Sequence, residues 1–373
     1  MEPSTKTRAA SELATTVGVA LVSLAFTSRA VNTPAQRLLS GLRVYTMSDD
    51  KSSDRLSTAT SLTAFPVQGS ALVLRPLYQA YVGLVSSCLL AVLATTISEA
   101  LGARTTVVPV LALLAAAQAA RGLSAAFTMV GAGTPPAEQR ASAFLGLCAV
   151  PAAGLLLSHF FPRVTSPPAF AGACVAAGLL FALLASPGLR WSRSYVMLTS
   201  PPRLLADVTR GMGGLPVFVE LAFLRLAFGL TVAVVLCFPA PPALLLAAGV
   251  CHAAALRGAC QAYLDSAAWA YLQLRSAGES VPVLASRTVL TAKFKNTTLL
   301  LVKAAVQLIA PGALLIAAGA ASAAKRAGAG STLSVSQATW SDGAAALGTW
   351  VALSWLVTTA ASLACFRTGL ARP

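Results

Sequence analysis

The sequence predicts an all-α, polytopic transmembrane bundle of about 10 to 11 spans, and three observations carry that prediction. Of the 373 residues, 56% are hydrophobic and only 10% charged. Mean hydropathy is +0.74. Apolar stretches of the roughly 20 residues needed to cross a 30 Å hydrocarbon layer recur along the whole chain. A soluble domain of this length has too little interior to hide so much apolar surface, so lipid is the expected solvent.

Charge narrows the class further. Lys and Arg total 27 against 12 Asp and Glu, a formal charge of +15. In a soluble chain that excess would point to nucleic acid. Here the basic residues are scattered through short loops, as the positive-inside bias requires, and no basic stripe is interleaved with aromatics, so no nucleic-acid partner is expected. The seven cysteines (Cys88, Cys148, Cys174, Cys237, Cys251, Cys260 and Cys365) lie in apolar stretches without a Cys-x-x-Cys spacing and read as small core residues. His159 and His252 are far apart and lack a His-Glu-x-x-His pattern. No metal or other cofactor is expected.

The elements follow in order. Lys6 and Arg8 precede the apolar run 13–26, which reads either as an uncleaved first helix or as a signal sequence, with Ser28 and Ala30 near a cleavage point. Residues 29–55 form a polar loop of mixed charge. Residues 56–74 carry no charge but are rich in Ser and Thr, and include Pro66 and Gln68, so they are only weakly apolar. Spans are predicted at 77–98, 105–130, 142–161 and 168–187. The stretch 188–213, with Arg190, Arg193, Arg203 and Arg210 against Asp207, reads as a basic cytoplasmic loop dividing an N-terminal half, 1–187, from a C-terminal half, 214–373. Spans at 214–238 and 240–257 meet at Phe238-Pro239-Ala240-Pro241-Pro242, where consecutive prolines stop a helix. A more polar segment, 258–274, and spans at 297–320 and 343–366 complete the chain. Counting 56–74 as a span gives six helices, the basic loop and five helices. The C-terminus is then outside, together with Arg287, Lys293, Lys295, Arg367 and Arg372.

Charges inside spans are the candidate functional groups, because each costs about 2.5–3.5 kcal/mol at a helix centre and normally faces protein or water. Arg121, Glu220, Arg225, Arg257 and Asp265 qualify. Glu220 and Arg225, five residues apart, are about 140° apart around a helix, so each needs a partner elsewhere. One reading is a polar cavity at mid-membrane for a small polar solute, with Arg121 and Arg225 as donors and Glu220 and Asp265 as acceptors. The other is a set of structural ion pairs. Arg257 and Lys303, near span ends, are expected to snorkel. Trp191, Trp350 and Trp355 are expected at headgroup level, and Gly172 with Ala176 at a close helix crossing. No Gly-x-x-x-x-Gly-Lys-Ser/Thr loop, Gly-x-Ser-x-Gly elbow or carboxylate pair in a catalytic setting occurs, so enzyme activity is not expected.

The whole-chain layout, with its Ala- and Arg-rich character, the loops at 29–55 and 188–213, and the stretches Ser266-Ala267-Ala268-Trp269-Ala270-Tyr271 and Thr298-Leu299-Leu300-Leu301-Val302-Lys303, resembles the multi-spanning envelope protein family of alphaherpesviruses, named after the forty-third reading frame of the unique long region. The resemblance implies a non-enzymatic protein of the virion envelope and host-cell membranes, acting with other viral envelope proteins in entering cells, controlling fusion or spreading. At the level of fold the predicted six-loop-five layout also resembles equilibrative nucleoside transporters, which implies a facilitative carrier for nucleosides or similar small polar solutes. Those carriers hold the nucleoside with an Asp-x-x-x-Arg pair. Here Asp265 is followed four residues later by Trp269, and Arg225 is preceded four earlier by Leu221.

Overall fold

Long apolar segments punctuated by Pro, Gly and charge become long helices. The computed structural model describes residues 32–47, 62–101, 107–129, 136–160, 167–199, 217–276, 283–324 and 334–368. Helix α1 (Asn32–Leu39) leads into strands β1 (Arg43–Met47) and β2 (Leu62–Pro66), then the short α2 (Gly69–Val73). The remaining helices are α3 (Tyr78–Leu101), α4 (Val107–Thr128), α5 (Pro136–Phe160), α6 (Pro167–Thr199), α7 (Val217–Leu236), α8 (Pro242–Ser276), α9 (Val283–Leu299), α10 (Leu301–Ala323) and α11 (Ser334–Arg367). Seven of them, α3, α4, α6, α7, α8, α10 and α11, are long and apolar enough to cross a bilayer. The protein is a multi-pass membrane protein.

Close approaches fix the direction of each rod. Gly83 of α3 faces Gln118 of α4, and Gly122 of α4 faces Val306 of α10. Gly146 of α5 meets Gly178 of α6, and Gly249 and His252 of α8 meet Gly312 of α10. Glu220 of α7 lies over Gly258 of α8, while Thr231 bonds His252 towards the other end of α7. All of these pairs are antiparallel. Helices α6 and α11 run parallel, since Trp350 donates to Ala177 O and Ser192 to Thr359 O. Eight rods, α3 to α8, α10 and α11, thus alternate between two ends. The first starts and the last finishes at the end that carries α1 and the β1–β2 hairpin, and α9 lies there too, packed on α8 and β1.

Helix α10 is the axis. All 23 of its residues are buried, packed among α3, α4, α6, α8 and α11. Its sequence is almost wholly Ala, Gly, Leu, Ile and Val, and small residues let neighbouring backbones approach closely where lipid supplies no hydrophobic drive between helices.

Several expectations change. Residues 62–74 hold β2 and α2, so no span forms there; the Thr, Phe and Pro of Leu62-Thr63-Ala64-Phe65-Pro66 suit an edge strand better than a lipid-facing helix. Residues 258–274 are not separate from 240–257 but continue one 35-residue helix, α8, since no Gly-Pro or turn pair interrupts it. Residues 188–199 belong to the helix α6, and Pro187 inside it does not end it. The rest of 188–213, the run 13–26 and the loop 48–55 lie outside the described residues. The turn at Phe238–Pro242 is as expected: α7 stops at Leu236 and α8 starts on Pro242, a favoured first helical residue.

Candidate functional site

The polar residues of the structure gather at the hairpin end. Apart from Arg121 and Arg225, the Lys and Arg residues of the described segments belong to that end, among them Arg37, Arg43, Arg75, Arg140, Arg190, Arg193, Arg257, Lys293, Lys295, Lys303 and Arg367. At the opposite end stand Glu99 and Asp342.

Helix α8 organises the site with Arg257, Gln261 and Asp265, spaced by four and therefore stacked on one face. Arg257 Nη1 donates to Ser40 O at 3.2 Å and to Arg37 O at 3.4 Å, placing a cation on the C-terminal carbonyls of α1. Gly41, at φ +72°, turns the chain from α1 into β1 beside that guanidinium. Gln261 then pairs with the backbone of Arg43 on both sides: its Oε1 accepts from Arg43 N at 2.8 Å, and its Nε2 donates to Arg43 O at 3.3 Å. Asp265 Oδ1 accepts from Gln261 Nε2 at 2.7 Å and from Tyr45 Oη at 2.8 Å. Tyr45 itself is buried with Ala268, Tyr271, Leu290 and Phe294 of α8 and α9. Burial, and after it the Asp265 carboxylate, raises the Tyr45 phenol well above its ordinary value, so it stays a donor.

Glu220, 8% exposed, lies against Gly258 where any side chain on α8 would collide with its Cβ, and within electrostatic reach of Arg43, Arg257 and Asp265. The structure therefore brings Glu220 and Asp265 together, but their basic neighbours are Arg43 and Arg257. Arg121 on α4 and Arg225 on α7 are exposed on the outer faces of their helices. The group also stands at the end of the bundle: Glu220 is in the first turn of α7, and Asp265 is seven residues, about 10 Å, further along α8 than Gly258.

A second polar group joins α5, α6 and α10. Ser186 Oγ donates to Glu138 Oε1 at 2.8 Å, and Gln307 Nε2 donates to Ser186 Oγ at 3.3 Å. Lys303, only 1% exposed, donates to Met129 O at 3.3 Å instead of snorkelling, because α10 has no outer face along which it could reach the surface. Arg190 lies 5.6 Å from the centroid of the Tyr263 ring. Sequence reasoning missed this group, although a Lys and a Gln four apart in an otherwise apolar span were a usable signal.

The aromatic expectation also changes. Trp191 and Trp355 are buried, edge to face at 5.0 Å, and His252 sits edge-on to Trp355 at 4.5 Å. In an Ala-rich bundle these rings supply interior volume that small side chains leave unfilled. Trp350 is half-buried and bonded to α6. Gly172 meets no neighbouring atom within 4 Å, so its pairing with Ala176 marks no crossing. Cys88, Cys174 and Cys260 are core residues as expected, whereas Cys148 and Cys237 are exposed; all seven are free thiols. Among the described residues no three His, Cys, Asp or Glu side chains are grouped as metal ligands.

Chemically, the hairpin-end group is a closed set of hydrogen bonds and charges between α8 and the segment 32–47. It ties that segment to the bundle. Comparisons with protein-family models, with curated proteins and with solved structures find no match for this chain.

Proposed function

We propose that this chain is a non-enzymatic multi-pass protein of the virion envelope and host-cell membranes, whose transporter-like scaffold acts through contacts with other membrane proteins in entering cells, controlling fusion or spreading. The observation that carries the choice of scaffold over carrier is the wholly buried α10, packed among five other helices with none of its residues lining a solvent-accessible path. Two placements support it: Arg121 and Arg225 face outward, and Glu220 and Asp265 are engaged with α8 and the hairpin. The viral setting rests on the resemblance in layout and in the stretches 266–271 and 298–303. The hairpin end, where the basic residues gather, is the cytoplasmic end by the positive-inside bias.

The test is uptake of labelled nucleosides into proteoliposomes holding the purified chain. Uptake no faster than into empty vesicles is expected. Saturable uptake abolished by Glu220→Ala would replace this reading with that of a facilitative carrier. The viral setting is tested by probing purified enveloped particles for the chain; presence in cell membranes and absence from particles would overturn the envelope assignment.

A further inference from the structure

We infer that the outer face of α7 is a docking surface for a transmembrane helix of another protein that carries an Asp or Glu near mid-membrane, paired with Arg225. The inference rests on the scaffold reading and gives its partner a chemistry.

Arg225 lies two residues from the centre of the apolar segment Phe218–Leu236, about 3 Å along the axis. It is exposed, and it has no hydrogen bond or ion pair among the described residues. A guanidinium at that depth and on that face needs a counter-charge from outside the described bundle. The surface around it is shaped for a helix. Phe218, Ala222, Arg225, Gly229 and Leu236 are exposed and fall on the four-three spacing of one seam. A side chain added at Gly229 would meet nothing within 4 Å, so the space beside Arg225 is open to a neighbouring backbone.

The same observations argue against a second copy as the occupant. A two-fold pair meeting through α7 would set Arg225 against Arg225. Of the described acids, Glu99, Glu138 and Asp342 lie near helix ends, while Glu220 and Asp265 face α8 and the hairpin. None of the described acids stands on an outer face at mid-depth, and the acid is assigned to a different chain.

The experiment uses the full chain in liposomes with a photo-crosslinking residue at Ala222 and a synthetic Leu/Ala helix of about 23 residues bearing one central Glu. Adducts with the Glu helix are expected about three- to thirty-fold above those with an all-apolar control helix, the range set by intramembrane polar pairs. Arg225→Ala should remove the difference, and Arg225→Glu should transfer the preference to a helix with a central Lys. Equal yields for the Glu and apolar helices overturn the proposal. So do adducts between two copies of the chain, or within one chain to residues 13–26, which would name a different occupant. Failure here in vesicles that also show no nucleoside uptake removes this surface and leaves the scaffold reading standing; saturable uptake removes the scaffold reading itself.

Discussion

Tyr45 and Asp265, 220 positions apart in the chain, share a 2.8 Å hydrogen bond from the phenolic oxygen to Oδ1. It joins the β1–β2 hairpin to the far end of α8, and the same contact makes the docking of the hairpin sensitive to high pH. Burial and the Asp265 carboxylate raise the Tyr45 pKa above its ordinary 10.0, so the folded chain holds the phenolic proton more tightly than the unfolded one. The Tyr45 contribution to docking is therefore fully present below about pH 10 and is lost progressively as pH rises past it. Spin labels on the exposed positions Thr46 and Lys295 should keep a fixed separation up to that pH and spread above it. Tyr45→Phe should lose about 1–2 kcal/mol of docking stability and abolish the pH dependence; an unchanged spread in the variant would remove Tyr45 as the cause.

Arg257 caps α1 through Ser40 O and Arg37 O. Arg257→Gln should cost about 1–2 kcal/mol, as the loss of a cation and its bonds at a helix C-terminus. The readout is faster proteolytic cleavage within 32–47, with the thermal transition of the bundle nearly unmoved. Equal cleavage of both proteins would show that Gln261 and Tyr45 alone hold the segment.

The crossing of α8 and α10 depends on two glycines. A Cβ at Gly312 would lie 2.6 Å from His252 Cβ, and one at Gly249 would lie 2.6 Å from Gly312 O. Either change to Ala should destabilise the protein by about 1–3 kcal/mol, the usual cost of overpacking. Gly229→Ala, with open space around it, should be neutral or slightly stabilising. Thermal unfolding in detergent compares the three, and a Gly312→Ala variant as stable as Gly229→Ala would show that the crossing can spread at no cost.

The alternation of the eight rods returns the last one, α11, to the hairpin end. Single cysteines at Ser40, Gly69 and Thr368, in a chain cleared of its own thiols, should all react with an impermeant reagent from the cytoplasmic side. A cysteine at Pro241 should react from the other. Labelling of Ser40 and Thr368 from opposite sides would require an odd number of spans between them.

Composition and hydropathy alone decided that the chain is a helical membrane protein, because burying this much apolar surface has only one solution in a chain with so few charges. The spans predicted at 77–98, 105–130, 168–187, 214–238, 297–320 and 343–366 fall within α3, α4, α6, α7, α9–α10 and α11 or differ only at their ends, since a 20-residue apolar run between charges is most stable in lipid as a helix, while the span predicted at 142–161 falls on α5, a helix outside the seven long and apolar enough to cross. Local sequence could not decide the segments whose hydropathy is middling. Residues 62–74 became strand and short helix because Tyr45 and Gln261 give β1 a docking site, and a hairpin held by a surface 200 residues away leaves no mark in its own window. The polar residues show the same division. That Glu220, Arg225 and Asp265 would need partners was legible from their cost in a span. Which partners they found was not, because a helix seen alone has no inner or outer face; only packing α7 and α8 against α10 put Glu220 over Gly258, Asp265 on Tyr45 and Arg225 on the outside.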